Sequence, residues 1–130
     1  MGMYTELVCA FALIEETPNC IIETLEFMSG QRDEHPSELP EHQLFLEGSR
    51  WAWMLQSDSY YFDGKTHSEI VRDTLEGRYY ATIRCNLKNY NNEIENFIEW
   101  ISPFIYKRDE NSFIGYKRYE DDKVPELIFV

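Results

Sequence analysis

The chain has 130 residues, is 43% hydrophobic, and carries 24 acidic against 12 basic residues, a formal net charge of −12. This length suits one acidic domain over residues 1–130, with enough apolar residues to build a core. The acidic excess excludes a general nucleic-acid binder, which needs positive charge to displace counterions from phosphates, and it also opposes docking on anionic membranes.

The start of the chain and its cysteines indicate a cytoplasmic protein. No basic segment precedes the apolar stretch at residues 7–14, as a secretory signal would require. No stretch reaches the roughly 20 apolar residues of a membrane-spanning helix. Cys9, Cys20 and Cys85 include no C-x-x-C pair and make a poor disulfide framework, which fits a reducing compartment.

The first part of the chain predicts a strand, a helix and a long loop. Residues 4–14 are apolar on both alternating sets, which is typical of a strand inside a sheet. Residues 18–29 repeat apolar side chains at helical spacing, and Gly30 supplies the stop. Residues 31–49 show no period, so we expect a loop that is held to the core at residues 44–46.

The middle of the chain predicts three strands. From residue 50 the apolar side chains alternate, which predicts a strand over residues 50–56, with residues 59–62 as its candidate continuation. Residues 66–75 and 78–87 predict two further strands, which form a hairpin.

The turn of this hairpin sets a predicted register. If residues 76–77 form a two-residue loop, Ile70 lies opposite Ile83 and Glu69 lies opposite Arg84. The first pair joins two apolar side chains and the second joins opposite charges, so both favour this register.

The last part of the chain predicts a second helix and two closing strands. Asn89 or Asn91 can cap the helix, whose apolar stripe has the i, i+3, i+4, i+7 spacing, and Pro103 ends or bends it. Residues 113–120 and 126–130 are the predicted strands.

The element order β-α-β-β-β-α-β-β decides the fold class. One crossover helix after the first strand permits one parallel pairing, whereas the hairpins impose antiparallel pairs. Two helices can cover one face of such a sheet. We therefore predict an α+β two-layer sandwich, with a mostly antiparallel sheet of five to six strands and two helices on one face.

Motifs for catalysis and cofactor binding are missing from the sequence. The glycines are not spaced as in a phosphate-binding loop, and there is no G-x-S-x-G nucleophile turn. His35 and His42 with Glu38 or Glu41 are the one conceivable metal-ligand set, but their spacing is too loose for us to predict a site. We expect no cofactor and no metal, and the balance is against an enzyme.

Charge supplies the first candidate binding surface. Residues 1–65 carry 3 bases and 12 acids, a net charge of −9, whereas residues 66–130 carry 9 bases and 12 acids, a net charge of −3. A focused negative field steers basic partners, although acidity can also serve solubility alone. The candidate residues lie on or beside the first helix: Glu23, Glu26, Asp33, Glu34, Glu38 and Glu41.

Aromatic residues supply the second candidate surface. Tyr80 and Tyr116 lie on predicted strands of a sheet with one face uncovered by helices. Tyrosine is enriched at protein interfaces because its ring offers area and its hydroxyl a polar end, and the competing interpretation places these rings in the core. A homodimer would form through this open face.

Two hypotheses of function follow. The first is a non-enzymatic protein-binding module whose acidic surface engages a basic protein partner, by the physics that immunity proteins and DNA mimics use, which is an analogy and not a resemblance in sequence. The alternative is a small enzyme or ligand-binding domain with its site between loop 31–49 and the sheet. A deep pocket with convergent polar groups would favour the alternative.

Overall fold

The structure is a computed structural model that describes residues 3–46 and 48–130, and it is an α+β fold with a five-stranded antiparallel sheet. The strands are β1 (Tyr4–Ala12), β2 (His67–Arg72), β3 (Tyr79–Lys88), β4 (Phe113–Tyr119) and β5 (Glu126–Phe129). The helices are α1 (Asn19–Met28) and α2 (Glu93–Ile101). No helix among the described residues is both long enough and apolar enough to cross a membrane.

The strand order is β2-β3-β1-β4-β5, so β1 is central and β2 and β5 are the edges. This confirms β1 as an interior strand. It pairs antiparallel with both β3 and β4, so the one parallel pairing that the crossover permitted does not occur.

The core lies on one face of the sheet. Leu7 and Cys9 of β1 lie opposite Cys85 and Ile83 of β3, and all four side chains are buried. The same buried cluster takes in both helices, as a two-layer arrangement requires. Its helical members are Ile21, Ile22, Leu25 and Met28 of α1, and Ile94, Phe97, Trp100 and Ile101 of α2.

The opposite face of the sheet, here called the outer face, is covered at one end by residues 59–62. Tyr61 stacks on Tyr4 with 5.6 Å between ring centroids, and the Phe62 ring lies 5.2 Å from the Arg118 guanidinium. Under this cover the Glu6 carboxylate is buried and pairs with Arg84 at 3.3 Å and with Arg118 at 3.6 Å. The outer face is therefore only partly open.

The strand predicted over residues 50–56 and 59–62 is wrong. Two 3₁₀ turns, Arg50–Ala52 and Met54–Gln56, occupy the first of these segments. Every residue from Trp51 to Leu55 is apolar, so the alternation of tryptophans did not define a period. In the structure Trp53 is 65% exposed, and the buried side chains follow helical spacing: Trp51, Ala52, Met54 and Leu55. The element order is therefore β-α-β-β-α-β-β, counting α-helices and strands.

The long loop after α1 is confirmed in outline. It contains one 3₁₀ turn, Gln43–Phe45, in which Leu44 and Phe45 are buried. Leu46, expected to join them, is 81% exposed. The loop is thus held to the core by two side chains of the predicted three.

The predicted register of the β2–β3 hairpin is wrong by two residues. Ile70 lies opposite Ala81, and Glu69 lies opposite Thr82. The connection is longer than two residues, because the amide of Asp73 already donates to the carbonyl of Arg78. A shift of two residues keeps every side chain on its face of the sheet, so Ile70 still points to the core.

The end of α1 follows the predicted signal, whereas the start of α2 does not. The Gly30 backbone is left-handed, with φ +85°, and the amide of Gln31 donates to the Glu26 carbonyl at 2.9 Å, which closes α1. The N-cap residue of α2 is Asn92, not Asn89 or Asn91, and its side chain makes no capping hydrogen bond. The Asn89 side chain nevertheless accepts a hydrogen bond from the amide of Ile94 in the first turn, at 2.9 Å.

Gly77 has φ +74°, and a Cβ there would meet nothing within 4 Å, so the backbone angle alone constrains the residue. We expect Gly77→Val to lower the free energy of unfolding by more than about 1 kcal/mol, because a branched side chain is strained at positive φ. Gly77→Asn is the matched control, since asparagine tolerates this region. Urea denaturation measures the free energy of unfolding of both variants. An equal loss of this free energy in the two variants would contradict the left-handed backbone at residue 77.

The contact between β1 and β4 requires a glycine at position 115. A Cβ on Gly115 would lie 2.0 Å from the carbonyl oxygen of Val8 and 2.6 Å from the Cα of Cys9. Because both are backbone atoms, no side-chain rotation relieves the clash. We expect Gly115→Ala to cost at least about 1–3 kcal/mol of stability, the usual range for overpacking, measured by thermal or urea unfolding. An unchanged unfolding midpoint would contradict the close approach.

Candidate functional site

A groove of about 570 Å³ opens between residues 38–42, the start of α1 and the end of α2, and we call it the acidic groove. Three carboxylates line it, those of Glu38, Glu41 and Glu99. Apolar lining comes from Leu39, Trp100 and Phe104 among others. Among the described residues no lysine or arginine lines this groove, and His42 is its one histidine.

Aromatic packing holds the loop in place beside α2. The Phe45 ring meets Trp100 edge-on at 5.0 Å between centroids, and it meets Trp51 at 4.9 Å. Trp100 also packs against Phe97 of α2 at 5.8 Å. These contacts join the loop, a 3₁₀ turn and the helix, and they fix the groove's walls relative to one another.

His42 links the loop to the exposed side of α2. Its Nδ1 accepts a hydrogen bond from the amide of Leu44 at 3.1 Å, so in the neutral ring the proton lies on Nε2. Nε2 then donates to Oε1 of Glu99 at 3.0 Å. Glu99 is not among the residues predicted from the sequence, because nothing in the local pattern around it indicates that a helix 57 residues from His42 meets this loop.

The predicted acidic residues are divided between different environments. Glu38 and Glu41 lie together in the acidic groove. Glu26 pairs with Arg32 at 3.2 Å and is therefore already neutralised. The remaining three are Glu23, half-buried on α1, and the exposed loop residues Asp33 and Glu34. Of these six residues, the acidic groove brings together Glu38 and Glu41.

Tyr80 and Tyr116 both lie on the outer face, as their pairing with Ala12 and Val8 of β1 requires. At its uncovered end this face carries a shallow groove of about 430 Å³, with Ala10 and Ala12 as the floor and Tyr80 in the wall. The Tyr80 hydroxyl donates to Glu76 at 2.6 Å, and this bond raises the pKa of Tyr80. The tyrosines therefore belong to a surface separate from the acidic groove.

Nucleophiles and metal ligands are poorly placed in the described parts of the chain. Burial raises the pKa of the Cys9 thiol to about 12 and shifts that of Cys85 in the same direction, so neither is a thiolate near neutral pH. His35 packs between the rings of Phe27 and Trp51. Within residues 3–46 and 48–130, no three His, Cys, Asp or Glu side chains are grouped to hold a metal ion.

Comparison with protein-family models, with curated proteins and with solved structures finds no match to this chain. The geometry of the grooves is therefore what supports a functional proposal.

Cys20 lines the acidic groove and is half-buried, whereas Cys9 and Cys85 are buried in the core. We expect iodoacetamide at about pH 8 to modify one thiol of the folded protein, Cys20, and all three after unfolding in urea, because the core thiols are inaccessible and protonated. Mass spectrometry of tryptic peptides locates the modified residue. Early modification of Cys9 or Cys85 would contradict the described core.

Proposed function

We propose that this protein is a non-enzymatic protein-binding module whose acidic groove receives a basic, amphipathic segment of a partner protein. The observation that carries the proposal is the set of carboxylates at Glu38, Glu41 and Glu99 around apolar lining. Among the described residues this lining includes no lysine or arginine, and His42 bonds to Glu99.

Charge supports a basic partner. The net charge of −12 attracts basic proteins at long range, and the groove concentrates carboxylates at one place on that surface. Such complementarity speeds association and favours the correct partner more than it adds affinity. The long-range attraction therefore brings a basic partner to the protein, and the local carboxylates orient it.

The lining supports an amphipathic partner rather than a small polar ligand. Leu39 and Phe104, both half-buried, offer apolar surface, which gains free energy when a partner's apolar side chains cover it. A helix that carries apolar residues on one face and lysines at its margins presents both kinds of group at once. Such a segment matches the groove's apolar lining and its carboxylates together.

The alternative, a small enzyme or ligand-binding site between loop 31–49 and the sheet, has less support. The groove beside this loop is lined by the loop, by α1, and by α2 with the residues just after it, and no strand residue is part of its lining. Of the three cysteines, Cys20 is the one in the groove, and within the described part of the chain its thiol makes no hydrogen bond to a histidine. An activated nucleophile needs a base within hydrogen-bond reach.

Cys20 allows the proposal to be tested without knowing the partner. The probe is a synthetic amphipathic Leu/Lys helix of about 18 residues, long enough to form several turns. We expect this peptide to slow alkylation of Cys20 at low salt and to lose the effect as salt rises, because ionic screening weakens the attraction. A Leu/Glu peptide of the same pattern should leave Cys20 reactive.

Matched charge variants separate groove binding from general attraction to an acidic protein. Glu38→Gln with Glu41→Gln should weaken protection of Cys20 by about three- to tenfold, since two favourable charge pairs are lost. Asp121→Asn with Asp122→Asn, in exposed positions between β4 and β5, changes the net charge equally and should retain the protection. Equal loss in both double variants, or no protection at all, would reject the acidic groove as the binding site.

A further inference from the structure

The two edges of the sheet differ in whether their backbone groups are satisfied. At the β2 edge, the side-chain amide of Gln31 donates to the carbonyl of Ile70 at 2.9 Å and accepts from the amide of Ile70 at 2.6 Å. This side chain makes the two hydrogen bonds that a neighbouring strand would make. The β2 edge is therefore closed at Ile70.

The β5 edge is open. Val130 and Ser112 exchange two backbone hydrogen bonds, of 2.9 and 3.0 Å, so the polar groups of Val130 face β4. Because this direction alternates along a strand, the N–H and C=O groups of Leu127 and Phe129 point away from the sheet. No hydrogen bond within the described chain reaches them from that side. Both side chains are also about half exposed, Leu127 at 54% and Phe129 at 52%.

A groove of about 370 Å³ runs between this edge and α2, and we call it the β5 groove. Ile94, Ile98 and Ile128 supply apolar lining, and Glu95, Glu99 and Glu126 supply carboxylates. Lys117, the one basic residue in the lining, lies 2.5 Å from Glu95 and 3.6 Å from Glu126. Lys117 therefore pairs with two of the three carboxylates, whereas Glu99 bonds to His42.

The Glu95 carboxylate is held in the charged form. Burial alone would raise the pKa of Glu95, but hydrogen bonds from Lys117 and Asn89 outweigh it and lower the pKa. Glu99 and Glu126 are mostly exposed, with 77% and 73% of their side chains accessible. The β5 groove is thus a negatively charged strip beside unpaired backbone donors and acceptors.

We propose that β5 is a docking edge for an extended segment of another protein, which adds a sixth strand and places basic side chains over the β5 groove. Strand addition satisfies the outward groups of Leu127 and Phe129, and charge complementarity selects lysine or arginine on the side that meets Glu126. A second copy of this chain is disfavoured as the occupant, because it would bring a further net charge of −12 to a negative strip.

The geometry also defines the pattern of the segment. Side chains alternate between the two faces of a strand, so one set of the added residues meets the β5 groove and the other lies beside Leu127 and Phe129. The segment therefore alternates basic and apolar residues. Glu99 lines both the β5 groove and the acidic groove. The proposal does not depend on the acidic groove, because the backbone hydrogen bonds at the β5 edge provide the binding.

Amide hydrogen exchange measured by NMR tests the proposal, with the capped peptide Lys-Val-Lys-Val-Lys-Val as the probe. In the protein alone, the amides of Leu127 and Phe129 should exchange fast and that of Ile70 slowly. Saturating peptide should slow exchange at Leu127 and Phe129 by about tenfold or more, as for newly paired backbone. Gln31→Ala should speed exchange at Ile70 and leave the β5 edge unchanged.

Two controls separate strand pairing from charge attraction. The same peptide, N-methylated at every residue, keeps its charges but cannot donate backbone hydrogen bonds, and it should give no protection. Leu127→Pro removes an outward N–H without removing a sheet hydrogen bond, and it should abolish protection while circular dichroism stays native.

Three results would overturn the proposal. The first is no protection at Leu127 and Phe129, the second is equal protection by the N-methylated peptide, and the third is protection that rises with protein concentration alone. The last would identify a second copy as the occupant. Cys20 alkylation reports on the acidic groove separately, so failure at one site does not imply failure at the other.

Discussion

The structure depends on the central strand β1, which lies between β3 and β4 and has a different environment on each of its two faces. One face places Leu7 and Cys9 in the core beneath the helices. The other buries the Glu6 carboxylate, which is tolerable only because each neighbouring strand contributes an arginine and residues 59–62 cover the site. Burying an ionised carboxylate without such partners would cost several kcal/mol. This cost is a large fraction of the free energy of unfolding of a small domain. The central strand thus ties the core, the outer face and the covering segment together.

The distribution of charge follows from this arrangement. Within the described chain, ion pairs join the basic residues Arg32, Arg50, Arg84, Lys117 and Arg118 to carboxylates. These five basic residues pair with five carboxylates, those of Glu6, Glu26, Glu93, Glu95 and Glu126, so the acidic excess is not reduced and is carried by the remaining surface. Two grooves then concentrate part of it on either side of α2, and Glu99 lines both. A helix whose inner face builds the core therefore also supplies a carboxylate to two candidate surfaces.

Local sequence signals predicted most elements but not the features that depend on distant contacts. The periods of β1, α1 and α2 were readable because polar residues interrupt or bound them, whereas the uninterrupted apolar run at 51–55 fits strand and helical turn alike. The hairpin register was wrong because the tight link between Asp73 and Arg78 lengthens the turn, a contact that composition does not reveal. The candidate site was predicted in part: Glu38 and Glu41 were identified from charge, but their neighbour Glu99 is reached only through the tertiary fold.

Gln31 has a role at two places at once. Its backbone N–H completes the closing turn of α1, and its side-chain amide forms hydrogen bonds with the backbone of Ile70 on β2. Fraying of the last turn of α1 therefore also uncovers the β2 edge, so the helix end and the strand edge should open as one cooperative unit rather than independently. The stability of the C-terminal turn of α1 thereby governs how often the β2 edge, an aggregation-prone site when unpaired, is exposed to other chains. Gly30 permits this turn to form, so it also helps to keep the β2 edge covered.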